Sequence, residues 1–290
     1  MGWRNVTKSS IEATLERIGA IDTERVEQFA QRTRDREVPV WHDPVTGVIY
    51  IDDYYVGDDE YASGSYRKDA GAPDYEDSSD TKPRIDEFRS LYFGRSVLDF
   101  GCGAGTFLRL VQPEAKSVQG VELQASYRNA LQRDGIACFE GLEECSPPDI
   151  IFMFHVLEHL PDPLVVLRQL KKLLEDTDGL LVVEVPHARD FLISSAHSQP
   201  FRDFTLWSQH LVLHTRDSLR RLLAHAGFTN INIWGVQRYG IANHMKWLID
   251  GKPGGHKDPL ALFESEQLSK EYAAALARMD ATDTLIATAR

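Results

Sequence analysis

Positive charge is in short supply in this 290-residue chain: 32 Lys and Arg stand against 44 Asp and Glu, for a net charge of −12. So acidic a surface repels phosphate backbones and anionic lipid. That excludes broad nucleic-acid or membrane-surface binding and leaves room only for a local basic pocket. Cysteine is scarce as well. Cys102, Cys138 and Cys145 form no C-x-x-C pair and no His/Cys cluster, which argues against a disulfide framework and a structural zinc site. Long apolar runs are missing: the richest stretches, 150–157 and 180–185, fall far short of the roughly 20 residues that span a bilayer. The N-terminal MGWRNVTKSSIEATLERIG lacks the apolar run of a secretory signal. There is no internal repeat. These absences lead us to expect a soluble protein of a reducing cytoplasm. The 42% of apolar residues supply the core of one large domain or two small ones.

Three parts are expected. Residues 1–80 form an N-terminal extension. Ser9 and Glu12 have capping-box spacing ahead of a helix with Ile11, Leu15 and Ile18 on one face. A second short helix is expected at Val26 and Phe29. A hairpin follows about Asp43-Pro44-Val45-Thr46-Gly47, then a loop over Asp52 to Asp80. Residues 81–250 alternate strand and helix patterns. Strands are expected at 96–100, 117–121, 136–139, 149–154, 180–185 and 228–234, with helices between them. Asp162-Pro163 and Thr215 are helix caps, and Gly135 and Gly227 are helix stops. This rhythm implies an α/β fold, a Rossmann-like, doubly wound and mostly parallel sheet. An insertion at 186–214 interrupts it. Residues 251–290 hold a Gly/Pro turn and a terminal helix whose stripe, Leu268, Tyr272, Leu276 and Met279, is a candidate homodimer contact. A last strand is expected near Gly240 to Trp247.

The sharpest local signal is Val97-Leu98-Asp99-Phe100-Gly101-Cys102-Gly103-Ala104-Gly105-Thr106. A buried strand runs straight into a Gly-x-Gly-x-Gly turn and a helix. Glycine permits the turn and removes the Cβ that would keep a ligand away, and the helix start behind it offers unpaired N–H groups. Glu122 ends the next strand, where a carboxylate can accept both hydroxyls of a ribose. Together they fit a nucleoside cofactor. A dinucleotide loop needs a third small residue at position 106, where this chain has Thr106, which counts against an NAD-type oxidoreductase.

LDFGCGAGTFL (98–108) resembles the first motif of class I S-adenosylmethionine (SAM)-dependent methyltransferases. HVLEHLPDPLVVLRQL (155–170), LVVEVPH (181–187) and HTRDSLRRLLAHAGF (214–228) resemble later motifs of that family, in the right order. The resemblance covers about half the chain and leans toward the small-molecule branch that methylates sugars and quinones. It implies SAM as cofactor and S-adenosylhomocysteine (SAH) as product. It places Asp99, Gly101 and Gly103 at the methionine part, Glu122 at the ribose and Leu123 beside the adenine. Gly141, Leu142 and Glu143 then fall at the adenine edge, and Phe154 and His155 near the methionine carboxylate and sulfonium.

The acceptor is expected among the insertion's histidines and the aromatic loop. Methyl transfer to a hydroxyl needs an in-line approach and a group that takes the proton. His210 is the first candidate base and His187 the second. Tyr61, Tyr66, Trp207 and His214 are candidate substrate contacts. Lys252, in the turn GKPGGH, is a candidate phosphate ligand. His210 and His214 stand four apart, but no third ligand is evident, so no metal is expected. Glu158 and His159, on the turn after the fourth strand, either face the site or only buttress the loop. The expected activity is O-methylation of a sugar or glycan precursor in polysaccharide assembly. C- or N-methylation, a non-catalytic partner subunit of the same fold and an NAD-type oxidoreductase are the alternatives.

Overall fold

The computed structural model describes residues 10–65 and 78–290. The first helix, Ile11–Arg17, buries Ile11, Thr14 and Leu15. Its cap is Ser10, whose hydroxyl accepts from the Ala13 amide at 3.0 Å. The expected cap, Ser9, lies outside the described residues, as does Tyr66. Where a second helix was expected at Val26 and Phe29, the chain forms strand β1 (Glu27–Ala30), antiparallel to β2 (Val40–His42). Four residues with two apolar ones do not discriminate helix from strand, and the partner strand decides. The hairpin about Asp43 is present. Asp43 Oδ1 accepts from the amides of Val45 and Thr46, Gly47 takes φ +78°, and β3 (Ile49–Tyr50) returns alongside β2. The expected loop after Asp52 holds a short helix, Asp58–Ser63, and the start of a longer one, Ser78–Tyr92.

The main sheet follows the expected rhythm. Strands β4 (Ser96–Phe100), β5 (Ser117–Val121), β6 (Ala137–Phe139), β7 (Ile150–Phe154) and β8 (Leu180–Pro186) are mutually parallel. Val97, Leu98, Ile150 to Met153 and Leu181 to Val183 are buried on both faces, as an apolar run covered by helices requires. Helix Pro163–Leu174 starts where Asp162 accepts from the Val165 amide, and it buries Leu164, Leu167, Leu170 and Leu174. Helix Arg216–His225 starts at a capping box of Thr215 and Ser218, and Gly227 follows it at φ +98°.

Two further elements differ from expectation. The segment about Gly240 to Trp247 is a helix, Ile241–Asp250, which buries Ala242, Asn243, His244 and Trp247 on a helical period. The last strand is instead at the C-terminal end of the described chain. After β9 (Val212–Leu213) and β10 (Asn232–Val236), β11 (Thr284–Ala289) inserts antiparallel between β8 and β10, giving the order β10-β11-β8-β7-β4-β5-β6. The terminal helix is Glu266–Arg278. Half of its stripe is used internally: Leu276 is buried and the Tyr272 hydroxyl meets His244 Nδ1 at 2.7 Å, while Leu268 and Met279 are exposed. Among the described residues, no helix is long and apolar enough to cross a membrane.

The insertion is not a separate flap. It carries two short helices, Phe191–Ser194 and Gln199–Thr205, and then β9, which pairs with β3 through Ile49↔Leu213 and Tyr50↔Val212. The N-terminal hairpin and the insertion thereby build one four-stranded sheet, β1-β2-β3-β9, over the carboxyl edge of the main sheet.

Candidate active site

A cavity of about 860 Å³ lies at the carboxyl ends of β4, β5, β7 and β8. On one side is the glycine turn. Gly101, Gly103 and Gly105 all have positive φ (78°, 55° and 75°), a region that L side chains rarely adopt. Gly101 and Cys102 both donate their amides to Val121 O, which draws the turn against the end of β5. Glu122, nearly buried, sits at that end. Its Oε2 accepts from Gly103 N at 2.9 Å and its Oε1 from Gln124 N at 2.7 Å. The carboxylate is therefore fixed in direction by two backbone amides, and it lines the cavity with Leu123. Asp99 lies buried beneath the turn. Cys102 packs inside it, with Sγ 3.8 Å from Cys138 Sγ, as expected of small core residues.

The floor is a charged relay at the ends of β7 and β8. Arg84 makes a buried two-pronged pair with Glu184, Nε–Oε2 at 2.9 Å and Nη2–Oε1 at 3.0 Å, with its guanidinium over the Phe154 ring. His155, at φ +52°, lies between Glu184 Oε1 (3.0 Å from Nε2) and Glu158 Oε1 (3.2 Å from Nδ1), with Arg238 Nη1 2.9 Å from Nε2. Burial and then the Arg238 charge oppose protonation of His155. The two carboxylates outweigh them and raise its pKa above the usual imidazole value. Despite burial, Glu158 and Glu184 are held well below the ordinary carboxylate range by His155, with further help from His159 and Arg84 respectively. A left-handed backbone at a non-glycine residue persists only where the surroundings over-determine it, and here four charged groups do so.

The opposite wall is aromatic. Trp207, His159 and His210 meet edge to face or tilted, with the His159 and His210 ring centroids 5.1 Å apart, and Tyr61 stacks on Tyr55 and meets the edge of His159. Arg34 lies over the Trp207 ring at 4.7 Å and donates to Phe204 O. Burial lowers its pKa, and no carboxylate among the described residues lies within ion-pair distance. Two further acids border the cavity, Asp190 and Asp283. Burial, and then the charge of Asp283, pushes the Asp190 carboxyl up to about 7.

Of the residues singled out from the sequence, Gly101, Gly103, Glu122, Leu123, Phe154, His155, Tyr61, Trp207 and His210 line this one cavity. Others do not. His187 is buried outside it, with Nδ1 2.9 Å from Thr282 O, so it cannot meet an acceptor there. His214 is likewise buried, with Nδ1 against Ser218 Oγ, and the strand β9 separates it from His210 instead of a shared helix face. Lys252 is exposed and off the cavity. The Gly254 amide of its turn is taken by Asn243 Oδ1, so no phosphate cradle forms, and His256 and Lys257 line the cavity instead. Gly141 and the turn Leu142–Glu144 stand outside the lining, with Leu142 packed against the core. His210 lines the cavity, but burial, then the neighbouring His159, pushes its pKa down to about 3, too weak for a lone base at neutral pH. Arg34, Asp190 and Arg238 carried no sequence signal. Glu158, His159 and His210 bring three ligand-type atoms within 4.8 Å of one another, a set that could hold a metal ion.

A family model described as a methyltransferase domain matches residues 72–233, more than half of the chain. A Vibrio parahaemolyticus protein named "Ubiquinone biosynthesis O-methyltransferase" is 30% identical over 88 residues, covering 26% of this chain and 37% of its own. A Mycobacterium tuberculosis protein named "Probable S-adenosylmethionine-dependent methyltransferase" is 29% identical over 150 residues, covering 49% of this chain and 52% of its own. The chain thus spans about half or less of the length of these curated relatives. Among solved structures, a SAM-dependent methyltransferase from Archaeoglobus fulgidus has a TM-score of 0.50 at 18% identity, covering 78% of this chain and 98% of its own. A Haloferax volcanii methyltransferase in complex with the Trm112 activator has a TM-score of 0.51 at 13% identity, covering 80% and 96%. At such identities these structures establish the shared fold.

Proposed function

Because this chain belongs to the methyltransferase-domain family, we propose that it is a SAM-dependent methyltransferase acting on a hydroxyl of a small molecule. The observation that carries the reading is Glu122, a carboxylate aimed by the amides of Gly103 and Gln124 into the cavity beside the glycine turn. That donor set fits the cofactor: an acceptor for the ribose diol, a glycine-lined backbone beside it, and room for a nucleoside together with an acceptor. When bound, SAM supplies an electrophilic methyl on a sulfonium.

In this reading Asp99, Gly101 and Gly103 face the methionine part and Leu123 the adenine. Phe154 and His155 stand beneath the sulfonium, where the Arg84–Glu184 pair holds His155 in its left-handed conformation. Residues 81–250 supply this cofactor side. The described residues within 1–80 and the insertion 186–214 shape the acceptor side, and the turn and helix within 251–290 close one end. The acceptor hydroxyl lies among His159, His210 and Trp207. These side chains would orient that hydroxyl and pass its proton toward water, while the cofactor, held by Glu122, Gly101 and Gly103, would supply the methyl group. Aromatic walls exclude water, which favours a reaction in which charge is cancelled.

For the acceptor we propose a sugar or glycan precursor, supported by the flat faces of Trp207, Tyr55 and Tyr61 beside polar side chains. The name of the Vibrio relative favours a second reading, a phenolic ring. Calorimetric titration with SAM, SAH and NAD tests the cofactor, and heat with NAD alone would refute the reading. SAH release over a panel of sugar nucleotides, free sugars and catechols then tests the acceptor.

A further inference from the structure

We propose that Glu158, His159 and His210 bind one divalent first-row transition-metal cation, of the Zn²⁺ or Mn²⁺ type, on the acceptor side of the cavity. Their ligand atoms already lie within 4.8 Å of one another. Glu158 is fully buried. Its Oε1 accepts from His155 Nδ1, while its Oε2 is buried with no hydrogen-bond partner. His210 Nδ1 is likewise buried and unpartnered. Burying an unpartnered carboxylate oxygen and an unpartnered ring nitrogen in one cluster is costly, and a cation ligated by both residues offsets that cost.

The surroundings orient the ligands. His159 Nδ1 lies 2.8 Å from Gln209 O. A carbonyl only accepts, so Nδ1 carries the hydrogen and Nε2 the lone pair, the arrangement found behind metal-bound histidines. Glu158 and His159 share the single turn Leu157–His159 at the end of β7, and the Leu211 amide donates to Glu158 O at 2.7 Å, fastening the insertion to that turn. The distance from turn to insertion is thus set by backbone as well as side chains. Trp207 and Tyr61 wall the cluster with ring edges.

Two imidazoles and one carboxylate suit Zn²⁺, Mn²⁺, Fe²⁺ or Co²⁺ better than Ca²⁺ or Mg²⁺, which prefer oxygen. Three protein ligands leave positions open toward the cavity. Resting on the proposed methyl transfer, we assign one of them to the acceptor hydroxyl. Binding there lowers the hydroxyl's pKa and so eases loss of its proton.

The test begins with the purified chain stripped by chelator and dialysed separately against Zn²⁺, Mn²⁺ and Co²⁺. Bound metal is counted by mass spectrometry, and the Co²⁺ form is read by visible absorption. About one equivalent should remain bound. His210→Asn and Glu158→Gln should each weaken binding at least about 100-fold. His225→Ala, at an exposed histidine outside the cavity, should leave it unchanged. Should Glu158→Gln fail to fold, His210→Asn, checked by circular dichroism, decides. No binding of any of the three ions, or equal binding by wild type and His210→Asn, would overturn the proposal. The same samples are titrated with SAM. Heat with SAM but no bound metal sinks the cation alone, and bound metal without that heat sinks the cofactor reading alone.

Discussion

Replacing Glu122 by Gln changes almost no volume and removes one charge, so it isolates what the carboxylate contributes. In the protein each oxygen accepts one backbone amide, Gly103 N at 2.9 Å and Gln124 N at 2.7 Å. In the variant one oxygen becomes an amide nitrogen facing an N–H donor, so one of these bonds is lost. A hydrogen bond to a charged acceptor contributes about 1.5–3 kcal/mol. The glycine turn should therefore loosen, with a small fall in Tm. The second effect falls on the ligand. A ribose diol that donated to a carboxylate now meets a neutral amide, one of whose atoms is a donor. Losing one charge-assisted bond of the same size corresponds to roughly a 10- to 150-fold rise in Kd. Calorimetry with SAH, which lacks the sulfonium charge, gives the cleanest measurement because it removes any long-range attraction between that charge and the protein. A Kd within threefold of wild type, in a variant that melts normally, would show that Glu122 does not hold the ribose.

Four further outcomes follow from the geometry. Gly105→Ala forces a side chain into φ +75° and drives its Cβ into Leu131 Cδ2. About 1–2 kcal/mol for the backbone and about 1–3 for overpacking should appear in urea unfolding, and a loss under about 0.5 kcal/mol would contradict it. Asp190, whose carboxyl is raised to about 7, holds a proton in the folded state that the unfolded chain releases near 3.8. Its contribution is whole below that lower value and is lost as pH climbs through about 7. Asp190→Asn keeps the helix cap to the Leu192 amide. It should thus stabilise the protein more at pH 8 than at pH 5, and equal shifts at both would refute the assignment. His187→Gln should lower Tm through its lost contact with Thr282 O while leaving the SAM Kd unchanged, since the ring lies outside the cavity. Arg34→Met removes a half-buried guanidinium that no carboxylate among the described residues pairs. It should raise KM about tenfold or more for an acceptor carrying negative charge, with no change in SAM affinity.

Most of the main sheet could be read from the residues because each strand is a short apolar run ended by a glycine, a cap or a proline, and such signals are local. Asp162, Thr215 and Gly227 act where their chemistry places them. Thr284–Ala289 escaped because only Leu285 and Ile286 in it are large and apolar, and no turn glycine flanks it. Ile241–Asp250 was mistaken for a strand because its helical face, Ala242, Asn243, His244 and Trp247, mixes polar and apolar types. The cofactor side was legible for the same reason as the strands: a glycine turn and a strand-end acid are near in sequence. The acceptor side was not. Arg34, His159, His210 and Trp207 converge through pairing of β3 with β9, a contact 162 residues apart along the chain between Tyr50 and Val212, and nothing in a spacing rule reports it. Histidines four apart suggested a pair, His210 and His214, that a strand turns away from each other, while His159, which does meet His210, lies on another element.

The four-stranded sheet that joins the N-terminal hairpin to the insertion also bears on how such a fold changes its choice of acceptor. Ser208 Oγ donates to Asp35, the Arg34 amide to Leu206 O and the Ile51 amide to Leu211 O, so each stretch of insertion leans on a matching stretch of the first fifty residues. The two segments share one apolar cluster: Val40, Ile49 and Ile51 from one pack with Ile193, Leu206 and Leu213 from the other. Exchange of the insertion alone for that of a relative would leave a half-mould without its counterpart. Selectivity in this architecture should travel as a matched pair of distant segments, transplanted together or not at all.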